Sequence, residues 1–126
     1  MREDVKELVE SAEEDLILAK EIIKLGYPRS SSFHAHQSVE KLLKAFILQS
    51  KGENLFTHSI RVLLEACLEV DSDFEELLKL KVHTLGRYYV GTRYPPLMKV
   101  TEEEAEEAIK LAEKVREFVL GKLNID

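Results

Sequence analysis

Phe33-His34-Ala35-His36-Gln37-Ser38-Val39-Glu40-Lys41-Leu42-Leu43-Lys44-Ala45-Phe46-Ile47-Leu48 is the stretch on which the fold turns. Its apolar residues, Phe33, Ala35, Val39, Leu42, Leu43, Ala45, Phe46, Ile47 and Leu48, cover more than one stripe of a helix. A helix from about Ser32 to Lys51 is therefore expected at the centre of a bundle, packed on several sides and ended by Gly52. Upstream, Val5, Leu8, Val9, Ala12, Leu16, Ala19, Ile22 and Ile23 recur at i, i+3, i+4 spacing and predict an amphipathic first helix. Gly26 and Pro28 stop it, since glycine takes the left-handed conformation after a helix and proline cannot continue the ladder. Downstream, Ile60, Leu63, Leu64, Cys67 and Leu68 mark a third helix, with Thr57 or Ser59 as its N-cap. Ser72-Asp73-Phe74-Glu75 reads as a capping box opening a fourth helix through Leu77, Leu78, Val82, Leu85 and Tyr88 or Tyr89. That helix should fray near Gly86 to Gly91, and Pro95-Pro96 forbids helix in the next loop. Thr101-Glu102-Glu103-Glu104 is a second capping box, and its helix buries Ala105, Ala108, Ile109, Ala112, Val115 and Val119.

No segment alternates with period two. The expectation is an all-α, antiparallel bundle of four to five helices, with 1–126 as a single domain. One cysteine, Cys67, excludes an internal disulfide and a Cys-based zinc cluster. The longest uninterrupted apolar runs are four residues, Ala45 to Leu48 among them, far too short for a membrane span. Met1 to Glu7 is acidic and lacks a signal-peptide apolar region, so a cytoplasmic protein without membrane partners is expected. Four Asn plus Gln among many Glu and Lys point to a thermophilic source.

The net charge of −6 argues against indiscriminate nucleic-acid binding. The charge is unevenly spread, however. Residues 79–99 carry Lys79, Lys81, Arg87, Arg93 and Lys99 and no acid, a local +5. Residues 29–61 carry a net +3, so the remainder is a −14 scaffold. The 79–99 stretch also holds His83, Tyr88, Tyr89 and Tyr94, and cations mixed with rings suit a ligand with phosphates and a flat base. The alternative is that these cations balance the Glu-rich helices. Arg93-Tyr94-Pro95-Pro96 places a guanidinium and a phenol beside a rigid turn, and Gly91 allows close backbone approach. The structural alternative there is an arginine on a helix C-terminus and a tyrosine packed under the loop.

His34 and His36, at i and i+2, lie about 200° apart on a helix and cannot chelate one metal from it. No metal site is expected. His36, Glu40 and Lys44 share a face, Gln37, Lys41 and Lys44 line another, and Glu40–Lys44 has the spacing of an ordinary ion pair. Buried hydrogen bonding competes with ligand binding as the role of the histidines. There is no nucleophile motif, phosphate-binding glycine loop or cofactor signature.

The ordered set FHAHQSVEKLLKAF (33–46), THSIRVLL (57–64) and RYYVGTRYPP (87–96) resembles the HEPN domain family (higher eukaryotes and prokaryotes nucleotide-binding) over nearly the whole chain. Its most specific pieces are His34, Gln37, Glu40-Lys41, Lys44, His58 and Arg93-Tyr94-Pro95. The resemblance implies a bundle like the C-terminal domain of kanamycin nucleotidyltransferase and a prokaryotic source. It also implies a homodimer or higher homo-oligomer, and a minimal nucleotidyltransferase as partner in a toxin–antitoxin-like pair. Some members are metal-independent ribonucleases with an Arg-x(4–6)-His motif late in the bundle; others bind nucleotides or support a partner enzyme. Here no histidine follows Arg87 or Arg93, and the motif matches only early, at Arg29 with His34 or His36. The resemblance thus favours a non-catalytic module binding a nucleotide, or RNA. Arg87 and Arg93 would take phosphates, Tyr89 or Tyr94 would stack on the base, and Gln37, Lys41 and Lys44 would complete the face. Two further readings are a ribonuclease using Arg29 with His34 or His36, and a structural oligomerising partner.

Overall fold

The computed structural model describes residues 1–125. Six α-helices follow in order, the longest connections being 52–59 and 91–101: α1 (Glu3–Lys24), α2 (Pro28–Lys51), α3 (Ile60–Val70), α4 (Glu75–Lys79), α5 (Arg87–Val90) and α6 (Glu102–Leu123). Two 3-10 segments, Ser72–Phe74 and Val82–Gly86, precede α4 and α5. The architecture is all-α, with no strand among the described residues.

The central place expected for α2 is what its apolar pattern produces: it packs on α1, α3, α5 and α6. Ala35, Val39, Leu42, Leu43 and Ala45 are fully buried in one core with Val5, Ala12, Ile60, Leu63, Leu77, Leu85 and Val115. Small residues bring α1 and α2 close together. Ser31 Oγ donates to the Ala19 carbonyl at 2.7 Å and Ser38 Oγ to the Ala12 carbonyl at 2.9 Å, so both buried hydroxyls are satisfied across the seam.

α2 begins one turn earlier than expected. Pro28 occupies the first turn, where its fixed φ suits a helix and its missing N–H costs nothing. Ser59, not Thr57, caps α3 by accepting the Val62 N–H, and the Thr101–Glu104 capping box forms as expected. The expected fourth helix does not form as one piece. Asp71, not Ser72, caps its start by accepting the Asp73 N–H. Lys81 adopts φ 62°, which resets the chain between α4 and the Val82–Gly86 turn. The buried residues explain the break. Phe74 to Leu77 is a step of three, Leu77 to Val82 a step of five, and Val82, Leu85 and Tyr88 again follow in threes. A period of three fits 3-10 geometry, and no α-helical stripe spans the step of five.

No helix among the described residues is long and apolar enough to cross a membrane.

Candidate functional site

α5 and the loop after it lie against the N-terminal half of α2 and the segment before α3. The loop is closed at its base: Met98 N–H donates to the Gly91 carbonyl at 2.7 Å. A Cβ on Gly91 would stand 2.5 Å from Met98 Sδ and 3.0 Å from the Arg87 carbonyl, so a larger residue there would have to displace its neighbours. The Arg93 and Tyr94 N–H groups both reach the Val90 carbonyl at 3.1 Å, which sets the direction of the two side chains.

Arg93 lies over three rings. Its guanidinium carbon is 4.9 Å from the Tyr89 centroid, 5.3 Å from Tyr94 and 5.5 Å from Phe33. No carboxylate among the described residues is within ion-pair distance of it. Cation–π contacts of this kind hold a guanidinium without neutralising it. Tyr89 also stacks on His58, with ring centroids 4.3 Å apart and planes 19° apart. With His58 and Arg93 both on it, the Tyr89 ring is a support, whereas Tyr94 is 53% exposed and keeps a face for a base.

Behind this face stands a buried carboxylate. Glu40 accepts from His58 Nδ1 at 3.0 Å and from Lys44 Nζ at 2.9 Å. His36 is fully buried; it donates Nε2–H to the His58 carbonyl at 3.2 Å and meets the Gln37 side-chain amide through Nδ1. Burial holds the His36 pKa below its ordinary value, against the opposing pull of Glu40 and the backbone bond to His58. The pairing of Glu40 with Lys44 is the i, i+4 ion pair read from the spacing, and its third member, His58, comes from another segment.

A second network joins α1 to α2. Asp15 accepts from His34 Nδ1 at 2.8 Å and from Lys41 Nζ at 2.6 Å, and Lys41 also donates to Ser11 Oγ at 2.7 Å. This cluster ties the two helices together.

The structure brings Arg93, Tyr94 and Tyr89 to one region, with Lys44 behind it through Glu40, and turns Gln37 to His36. It sends Lys41 to Asp15. Arg87 turns toward α6, where it donates to the Tyr88 hydroxyl at 2.7 Å and lies 3.8 Å from Glu104. Arg29 is exposed in the first turn of α2, in a groove with Tyr27 and Lys99 that neither His34 nor His36 lines. Phe33 and Asp15 escaped the sequence reading. Phe33 counted as core, yet it is only half-buried and forms part of the floor under Arg93. Asp15 could have been found as an acid flanked by the buried Ala12, Leu16 and Ala19 stripe. Among the described residues, no group of three or more His, Cys, Asp or Glu is placed to hold a metal ion.

Comparison with known proteins points one way. A family model described as HEPN domain matches residues 5–123. The chain is 35% identical over 130 aligned positions to a Methanocaldococcus jannaschii protein named "Putative toxin MJ1304", covering 90% of this chain and 84% of that one. The crystal structure of TT1696 from Thermus thermophilus superposes with a TM-score of 0.79 at 32% identity, covering 96% of this chain and 99% of that one. ST0689, described as an archaeal HEPN homologue, superposes with a TM-score of 0.71 at 28% identity, covering 97% and 98%.

Proposed function

The chain belongs to the HEPN domain family, and on that premise we propose that it is a non-catalytic module that binds a nucleotide or another phosphate-bearing ligand on the Arg93–Tyr94 face. The observation that carries this reading is the unpaired guanidinium of Arg93, held over Phe33, Tyr89 and Tyr94 beside an exposed ring. A guanidinium without a counter-ion is a ready bidentate partner for a phosphate, and Tyr94 offers a base its π-face. Arg87, engaged with Tyr88 and Glu104, is a secondary contributor at most.

The module works as a homo-oligomer and as the partner subunit of a minimal nucleotidyltransferase in a toxin–antitoxin-like pair. The relative whose name carries the word toxin supports that setting. The non-catalytic part is supported by the other engagements of the Arg-x(4–6)-His candidates. Arg29 occupies a groove of its own, His34 is engaged by Asp15, and His36 is enclosed in the core.

Calorimetry of the chain with ATP tests the ligand: binding should weaken at least about tenfold in Arg93→Ala, the scale of a lost charge-assisted contact. Absence of heat at millimolar nucleotide would refute the nucleotide reading. Incubation with tRNA in EDTA tests the chemistry. Cleavage that disappears in His34→Ala or His36→Ala would replace the module by a ribonuclease.

A further inference from the structure

Beside Tyr89, a groove of ≈ 340 Å³ opens between the start of α3 and the Val82–Gly86 turn. His58, Arg61, His83 and Tyr89 line it, and no carboxylate does. The polar groups are complementary: His58 presents an acceptor to the groove and the others present donors. His58 gives Nδ1–H to the buried Glu40, which orients the ring and leaves Nε2 as its available nitrogen. His83 Nδ1 is buried with no hydrogen-bond partner. A proton there would be an unpaired buried N–H, so the ring carries its proton on Nε2. Arg61 is exposed and makes no ion pair among the described residues. Ser59 takes the Val62 N–H, which leaves the Ile60 and Arg61 N–H groups as donors of the first turn, with no acid there to meet them.

We infer that this groove binds a phosphate group through Arg61, His58 and His83. Arg61, His83 Nε2–H and the unpaired amides can donate to a compact oxyanion in this acid-free hollow, and His58 Nε2 can accept the P–OH of a monoprotonated phosphate. Tyr89 is common to the groove and to the Arg93 cluster, so a nucleotide on Arg93 and Tyr94 can place a further phosphate here. That second statement deepens the proposed function and rests on it; the phosphate groove itself does not.

The unpartnered His83 Nδ1 supplies a signature that distinguishes binding from packing. A histidine kept for structure should lose stability when replaced, whereas His83→Leu removes an unsatisfied buried nitrogen and should hold or raise the melting temperature.

The test is an NMR titration of the full chain with inorganic phosphate, following the His58 and His83 ring signals against a chloride control of equal ionic strength. Both rings should shift saturably. Arg61→Ala should weaken the binding about tenfold or more, and His83→Leu should weaken it without lowering the melting temperature. Shifts that chloride reproduces, an unaltered affinity in Arg61→Ala, or no saturable shift of the two rings would overturn the groove. Phosphate binding with no ATP binding would uphold it and remove the Arg93 reading instead.

Discussion

Glu40→Gln is the substitution that separates a site-organising carboxylate from a merely buried one. The Glu40 side chain is 5% exposed and accepts two charge-assisted bonds, from Lys44 at 2.9 Å and His58 at 3.0 Å. Glutamine keeps the shape and one acceptor oxygen, but its amide nitrogen then meets a second donor head-on. One charge-assisted bond is lost, about 1.5–3 kcal/mol where the partner stays dry. Here the partners can recover water, because the side chains of Lys44 and His58 are 20% and 53% exposed. A net cost of about 1–2 kcal/mol follows, below the loss for a fully enclosed pair. An unfolding entropy of about 2.1 cal/mol/K per residue makes that a fall of about 4–8 °C in melting temperature for a chain of this length. Differential scanning calorimetry reads it directly. The His58 ring should also loosen from Tyr89, which NMR shifts of the His58 ring would show. A double-mutant cycle with His58→Ala should return a coupling of about 0.5–1.5 kcal/mol. A melting temperature within about 1 °C of the parent, or no coupling, would refute the account of Glu40 as the post behind the site.

Three other outcomes follow. Burial depresses the His36 pKa below 6.5 in the folded chain, while the unfolded chain titrates near 6.5. The unfolded state therefore binds more protons as pH falls past 6.5, so His36 stabilises above that value and its contribution is lost as pH falls toward the folded value. Melting temperatures at pH 7.5 and pH 5 should differ less in His36→Asn than in the parent; equal differences would count against the enclosed ring. Cys67 is fully buried, and burial pushes its thiol up to about 12. It should resist a thiol reagent in buffer and react promptly in denaturant, and prompt native labelling would disprove its enclosure. Gly91→Ala sets a methyl 2.5 Å from Met98 Sδ and 3.0 Å from the Arg87 carbonyl. The loop must give way, at a cost of about 1–3 kcal/mol, with weaker nucleotide binding through the displaced Arg93. Unchanged stability and affinity together would show that the loop tolerates the methyl.

What the sequence could reveal differs between fold and site for a physical reason. Helix character repeats along the chain, so the stripes on α1, α2 and α6 and the Thr101–Glu104 box were legible from many residues each. The stretch after Asp71 was not, because a five-residue step between Leu77 and Val82 registers only once the core that demands it is assembled. The site depends on side chains that meet across elements, and spacing within one helix says little about them. Arg87 and Arg93 are alike in composition and lie six residues apart. Yet one meets Glu104 across the bundle and the other stays unpaired on aromatic rings. Lys41 and Lys44 likewise separate only when Asp15 and Glu40 are placed behind them. The local +5 of residues 79–99 therefore overstates the charge available to a ligand. What counts is the part left without a counter-ion: Arg87, Lys41, Lys44 and Lys51 are already engaged, whereas Arg93 and Arg61 are unpaired and lie beside rings and hydrogen-bonding groups that a ligand can also meet. Ligand binding to this chain should accordingly fall with salt more gently than the full set of cations in the two basic segments would require, since Arg87, Lys41, Lys44 and Lys51 already face carboxylates.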